Sequence, residues 1–240
     1  MQERPEDAPK LSNFDMLEEI GAGAFGEVYK VKHKQSQRIF AMKMLNKQRL
    51  QKQKQLKYAI SEFKIMKQLD HPFIMNLFYA FQTHKFLFLV LEYCPGGDLS
   101  DLIEANQTLC EPIARFYVAQ IILALEYLHS LDILYRDMKP ANVLLAEDGY
   151  IRLGDFGLAK ENVNEVNPAL TLAGSIAYIP PEIIHQKGAN QASDIYALGA
   201  TLYEMLVGKP PRFAEDFDTL LKIVDNYTCL LYTSPSPRDS

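Results

Sequence analysis

The chain has 240 residues, 48% hydrophobic and 23% charged, with a net charge of −5 and a pI near 5.6. That balance fits one large globular domain or two lobes with a shared cleft, and the acidic excess argues against a nucleic-acid partner. Cys94, Cys110 and Cys229 have neither metal-ligand nor disulfide spacing, which suits free thiols in a reducing compartment. The polar start has no leader pattern and the longest apolar run, 86–91, is far too short to cross a bilayer. No membrane partner and a cytoplasmic setting are therefore expected.

In chain order, residues 1–13 are polar, carry Pro5 and Pro9, and read as a disordered lead-in. Strand-like runs follow at 27–32 and 39–45, separated by a turn-prone stretch at 34–37. Residues 48–69 are rich in Lys, Gln, Leu and Met, with Ile60, Phe63, Met66 and Leu69 at helical spacing, and His71-Pro72 closes that helix. Its lysines lack interleaved aromatics, so they read as a solvated face. Strands are expected at 75–80 and 86–92, a break at Gly96-Gly97, and helices at 112–130, 192–207 and 217–224. The pattern predicts an α+β chain: a small sheet-rich lobe, a glycine-containing hinge and a larger helical lobe.

Gly21-Ala-Gly23-Ala-Phe-Gly26-Glu-Val28 is a glycine loop of the kind that lets backbone approach phosphate. The same glycines fit a dinucleotide fingerprint, but that site needs a helix directly after the loop, and here a second strand is expected. Lys43 interrupts an otherwise apolar strand, and Glu62 lies on the following helix. Tyr135-Arg136-Asp137-Met138-Lys139-Pro140-Ala141-Asn142, followed by Asp155-Phe156-Gly157, supplies two aspartates, an asparagine and a lysine around a short strand pair. Phosphoryl transfer needs those parts: a carboxylate to orient a hydroxyl, oxygen ligands for Mg²⁺, and a cation for the phosphoryl group.

With these motifs the chain resembles a eukaryotic-type serine/threonine protein kinase from Phe14 to about Val224. Tyr135, the Glu92-Tyr-Cys-Pro-Gly-Gly-Asp-Leu stretch and Leu170-Thr171-Leu-Ala-Gly174-Ser175 resemble the AGC group, and Lys139 is similar to serine/threonine rather than tyrosine enzymes. The resemblance implies a bilobal kinase fold, with a small antiparallel-sheet lobe carrying one main helix and a mostly helical second lobe. It implies ATP and Mg²⁺ as cofactors, Asp137 as catalytic base, and Lys139 as the cation at the transferring phosphoryl. Asn142 and Asp155 are the implied metal ligands, and Lys43 with Glu62 the implied ion pair. Gly21, Gly23, Gly26 and Val28 are expected to cover the nucleotide, Ala41 and Leu144 to sandwich adenine, Leu91 to act as gatekeeper, and the Glu92–Cys94 backbone to meet the adenine edge. Met66, Leu77, Phe156 and Tyr135 are the implied regulatory spine, and Asp194 the brace of the catalytic loop. Thr171 matches the activating phosphosite, served by an upstream kinase and paired by Arg136 and Lys160. Asp98 and Glu204 match positions that meet an arginine upstream of the acceptor in a protein substrate.

The chain departs from the family pattern at Pro180-Pro181-Glu182, Ala141 and Tyr58. Residues 14–92 are expected to form the first lobe and 93–228 the second, incomplete and lacking the late helix whose arginine pairs with Glu182. Residues 229–240 resemble the conceptual translation of a sequencing adapter and are expected to be an artefact. The alternatives are a pseudokinase-like nucleotide-binding scaffold, which Lys43, Asp137, Asn142 and Asp155 argue against, or an inactive and poorly stable piece of an active kinase.

Overall fold

The computed structural model describes residues 9–23, 26–161, 176–185, 188–212 and 219. Most of the lead-in (1–8), the segment 170–175 with Thr171, all of the expected helix at 217–224 except residue 219, and the tail at 229–240 lie outside them. Contacts divide the chain into two units. One comprises the described residues through Asp98 together with Val143–Ala159; the other comprises Leu99–Asn142 and the described residues from Lys160 on.

The first unit is built on a five-stranded antiparallel sheet: β1 (Phe14–Gly23), β2 (Gly26–His33), β3 (Ile39–Asn46), β4 (Leu77–Gln82) and β5 (Phe86–Glu92), in the order β1-β2-β3-β5-β4. Strand alternation decides its two faces. Phe40 and Met42 of β3 pack with Phe14, Val31, Phe88 and Val90, all nearly inaccessible to solvent. Full burial of each such side chain is worth about 1.5–3 kcal/mol. Aromatic contacts add to it, including the stacked Phe81 and Phe88 rings 4.9 Å apart. The odd positions of β3 face the other way, where Leu45 packs on Leu50 and Ala59.

Those last two residues belong to α1 (Lys47–Lys52) and α2 (Leu56–Gln68), so the single helix expected over 48–69 is two. Asn46 caps α1 by accepting from the Gln48 and Arg49 amides. The break follows at Gln53–Gln55, where Lys54 takes a left-handed conformation with φ 56°. The buried face of α2 is Ala59, Glu62, Ile65 and Met66, not the expected Ile60-Phe63-Met66-Leu69 stripe. Ile60 remains 44% exposed.

A two-stranded sheet, β6 (Val143–Leu145) with β7 (Ile151–Leu153), completes this unit. It is tied to the segment that follows β5 by backbone bonds Gly96 N to Leu145 O and Leu145 N to Gly97 O. In the second unit α3 (Leu99–Asn106) precedes α4 (Glu111–Ser130), followed by the short α5 (Pro181–Ile184) and α6 (Gln191–Val207). α4 buries Ala114, Ile121, Ala124, Leu125 and Leu128 at helical spacing. α6 opens with an Asn190–Ser193 capping box and ends at Gly208, whose φ of 81° fits a left-handed cap. The expected α+β fold is thus present, with strands in the first unit and helices in the second.

Gly26 shows why the glycine loop tolerates so little there. A Cβ at this position would sit 1.9 Å from the Met44 carbonyl oxygen, because β2 and β3 pair Gly26 with Leu45. Gly26→Ala is expected to cost on the order of 2–3 kcal/mol, since backbone rather than a flexible side chain must yield. Urea unfolding checks this, and a loss below ~0.5 kcal/mol contradicts the register.

Candidate active site

The expected site residues fall into two groups, one in each unit. In the first, the register lines up Gly21, Val28, Lys43 and Leu89 across four strands. β2 follows the glycine loop directly, so the helix required by a dinucleotide fingerprint is absent there. Gly23 pairs with Gly26 at the hairpin end. β3 is a central strand, flanked by β2 and β5, so Lys43 does not lie at a sheet edge. Lys43 lies on the helix-facing side of β3, and its Nζ donates to Glu62 Oε1 at 2.7 Å. Asp155 Oδ1 lies 3.8 Å from the same nitrogen. Burial works against the Lys43 charge, but Glu62 and then Asp155 outweigh it and hold the ammonium above its ordinary pKa. Glu62 is 4% exposed, and its burial is compensated by this pair.

Asp155 is left-handed, with φ 46°, and its Oδ1 accepts from the Gly157 amide at 3.2 Å. Val28, Ala41, Leu91 and Leu144 are apolar but only half-buried, whereas their neighbours Met42, Val90, Val143 and Leu145 are buried. Ala41 and Leu91 are cross-strand partners. Apolar surface left open beside a glycine loop suits a flat, apolar-faced ligand.

At the end of β5, Glu92 is fixed by Asn76 Nδ2 at 3.0 Å and by Arg152 Nε at 2.9 Å. Two residues on, burial first and then the Glu92 carboxylate push the Cys94 thiol up to about 12. Such a thiol carries almost no thiolate at neutral pH. A brief iodoacetamide pulse on the native chain is expected to label exposed Cys110 at least ~10-fold faster than Cys94. Peptide mass spectrometry reads the ratio, and equal labelling contradicts it.

In the second unit the loop 135–142 is pinned from behind. Asp194, 1% exposed in the first turns of α6, accepts from the Tyr135 amide at 2.9 Å, the Arg136 amide at 2.8 Å and His129 Nε2 at 2.8 Å. A carboxylate near a helix N-terminus is favoured by the backbone dipoles. These bonds hold Arg136 at φ 69°, which costs a non-glycine residue about 1–2 kcal/mol. The strained turn presents Asp137, 7% exposed, whose Oδ2 accepts from Asn142 Nδ2 at 2.8 Å and lies 3.0 Å from Lys139 Nζ. Asn142 Nδ2 also donates to the Asp137 carbonyl at 2.7 Å.

Oxygen donors are what Mg²⁺ requires, and Asn142 fits. Its amide nitrogen is committed to Asp137, while its Oδ1 takes no hydrogen bond among the described residues. The Asp155 carboxylate is about half exposed and supplies a charged oxygen. The second unit also shows Tyr178 donating to Glu204 Oε2 at 2.5 Å. Burial raises the Glu204 pKa, which the phenol's hydrogen bond partly opposes. Asp98, the other carboxylate expected to meet substrate, is half-buried and its backbone bridges to Leu144. Glu182 accepts from Ser193 Oγ at 2.7 Å. Tyr135, Met66 and Phe156 are buried and Leu77 is half-buried. Sequence reasoning missed His129 and Tyr178, whose partners lie 65 and 26 residues away with no intervening pattern.

Residues 14–237 match the family described as Protein kinase domain, and the chain belongs to it. It is 43% identical over 217 residues to serine/threonine-protein kinase Sgk1 of Danio rerio and 42% identical to that of Homo sapiens, covering 88% of this chain and 50% of each relative. It is also 38% identical to Protein kinase 3 of Dictyostelium discoideum, over 95% of this chain and 26% of that protein. The chain therefore spans half the length, or less, of these curated relatives. The similarity to Sgk1 agrees with the AGC-like resemblance of the motifs. Among the described residues, no helix is long and apolar enough to cross a membrane.

Proposed function

We propose that the protein carrying this chain transfers the γ-phosphoryl group of ATP to serine or threonine hydroxyls of protein substrates. The observation that carries the reading is the Asp137 cluster: a carboxylate, a lysine and an asparagine within 3.0 Å on a loop held in strain by Asp194. Family membership and the Sgk1 similarity support the same class.

In this reading Asp137 orients the attacking hydroxyl and accepts its proton, and Lys139 neutralises charge on the transferring group. Lys43, held by Glu62, engages the α- and β-phosphates. Gly21, Gly23, Gly26 and Val28 cover the nucleotide, Ala41 and Leu144 enclose adenine, Leu91 limits the depth of its site, and the backbone of Glu92–Cys94 bonds its edge. Asn142 and Asp155 hold Mg²⁺, which when bound withdraws charge from phosphate oxygens. The residues otherwise act by position and fixed charge, which suits a reaction with little covalent chemistry for a protein to perform.

Thr171 is the proposed site for an upstream activating kinase. Arg136 and Lys160 are its proposed cations, a pairing favoured by the two backbone bonds between Leu134 and Lys160 that bring residue 160 beside the loop. Substrates with basic residues before the acceptor are proposed through Asp98 and Glu204, and the expected setting is cytoplasmic. Residues 14–92 and 93–228 are proposed as the two lobes, with 229–240 outside the domain.

The test is phosphate transfer from labelled ATP with Mg²⁺ to serine, threonine and tyrosine versions of one basic peptide, using the full protein. Transfer to serine and threonine only is the expected result. Nucleotide binding without transfer to any of the three overturns it in favour of a scaffold.

A further inference from the structure

Four polar side chains outside the Asp137 cluster meet where β5 ends. Arg152, in the middle of β7, has a side chain only 13% exposed, and each of its guanidinium nitrogens is engaged. Nε donates to Glu92 Oε1, Nη2 to Asp148 Oδ2 and Nη1 to the Ile151 carbonyl, each at 2.9 Å. The second Glu92 oxygen accepts from Asn76 Nδ2 at 3.0 Å, and the Glu92 amide donates to the Asn76 carbonyl at 3.1 Å. Asn76 thus fixes one end of the ion pair, and Asp148 the other. A planar fork bound at three nitrogens holds one geometry, which a lysine ammonium does not reproduce. Exposed ion pairs contribute little, but this one is largely shielded from water and belongs to a network.

Its place in the fold gives the pair a use. Glu92 is the last residue of β5. Arg152 lies directly opposite Leu144 in the β6–β7 register, so the two share a face of that small sheet. Four residues beyond Glu92, the Gly96 amide bonds the Leu145 carbonyl, and a Cβ on Gly96 would lie 2.7 Å from Leu145 Cβ. The stretch Tyr93–Pro95 is therefore suspended between two anchors on β6–β7, an ionic one at Glu92 and a backbone one at Gly96.

We propose that Arg152 is a positioning residue for the nucleotide: by holding Glu92 against β7, it sets the backbone of Glu92–Cys94 at the right distance from Leu144 to bond an adenine edge. The role rests on the ATP site proposed above, and Arg152 acts in it through Glu92 rather than on the nucleotide. A backbone edge that bonds a flat base must lie in the plane of that base, because hydrogen bonds weaken steeply once misaligned. The Gly96 anchor alone leaves the Glu92 end of the stretch free to tilt. With both anchors in place the edge is set before the base arrives, and less ordering remains to be done on binding.

Arg152→Gln removes the charge and the fork and leaves a polar side chain in their place. In the full protein with Mg²⁺, the dissociation constants of ATP and adenosine are both expected to rise roughly 5-fold, as a misaligned edge loses most of one hydrogen bond. Inorganic tripolyphosphate, which has the phosphates and no base, is expected to bind within about twofold of its native affinity. A merely structural role moves all three ligands alike or none of them, and either result overturns the proposal. Arg152→Lys keeps the charge without the fork and stands in where glutamine unfolds the protein. Adenosine binding weaker than native with tripolyphosphate unchanged supports the role there, and native affinity for both overturns it. Hydrogen exchange in the ligand-free protein tests the clamp by itself. The Tyr93 and Cys94 amides are expected to exchange ~10-fold faster in Arg152→Gln while the β3 amides keep their rates, and unchanged rates at Tyr93 and Cys94 overturn the clamp. Native protein that binds neither ATP nor adenosine overturns the proposed function as well, whereas native binding with an unaltered Arg152→Gln overturns the positioning role alone.

Discussion

Replacing Asp137 by alanine is expected to lower peptide-phosphorylation turnover by ~10²-fold or more while leaving ATP affinity nearly unchanged. The separation follows from where the groups sit. Lys43, Glu62 and Asp155 are assembled within the first unit, by the pairing of β3 and by α2, and none of their bonds passes through Asp137. Alanine deletes a carboxylate that Asn142 and Lys139 both engage, so either could shift and lower turnover for a positional reason. Asp137→Asn controls for this. It preserves the shape and one oxygen acceptor for Asn142, and loses the charge and the capacity to take a proton. A comparable loss in both variants assigns the effect to acid–base chemistry. A fall of less than about threefold in either removes Asp137 from that role.

The sequence was most readable where one local rule governs. β5 has the predicted limits, 86–92, because a run of apolar residues in a central strand needs no distant partner to be recognised. β3 was readable for the same reason, and Lys43, the residue that breaks its pattern, is one proposed for function.

Phase and partnership were harder to read. The apolar stripe of α2 was placed on Ile60 and Phe63 because a glutamate counts as polar in any hydrophobic pattern. Glu62 is buried because Lys43, 19 residues earlier in the chain, compensates its charge, and this rotates the inward face toward Ala59 and Ile65. The α1–α2 break carries no proline or glycine, so nothing local announced it. α3 was missed because only Leu99 and Ile103 are buried, too few positions to define a period. The Asp194 bonds to His129, Tyr135 and Arg136 span 58–65 residues and are invisible to spacing. Family resemblance named Asp194 and Glu62 as supporting residues in advance, whereas His129, which shares the Asp194 carboxylate, has no such signal.

Asp155→Asn is expected to abolish the Mg²⁺-dependent part of nucleotide affinity, weakening MgATP binding by about 10-fold or more, without harming the fold. The backbone argument comes first. Asp155 sits at φ 46°, a region that asparagine enters as readily as aspartate, so the exchange adds no strain. The Gly157 amide needs only an oxygen acceptor, which the asparagine side chain retains. Lys43 keeps its nearer partner, Glu62, at 2.7 Å, so the buried face of α2 stays compensated. What disappears is a formal negative charge on an oxygen that is about half exposed and therefore open to a cation. A hard divalent ion gains most of its binding energy from such charged oxygens, and a neutral amide replaces them poorly. Loss of that charge also removes one of the two carboxylates that raise the Lys43 pKa, while Glu62, the larger of the two supports, remains bonded to the ammonium. The lysine's own contact with nucleotide is thus preserved, and the metal-dependent component is isolated. Calorimetric titration with ATP, in Mg²⁺ and again in EDTA, separates the two. The expected result is that the variant binds ATP with the same weak affinity in both, matching the native protein in EDTA. A variant that still tightens in Mg²⁺ as the native protein does removes Asp155 from the metal site and leaves Asn142 without its proposed co-ligand.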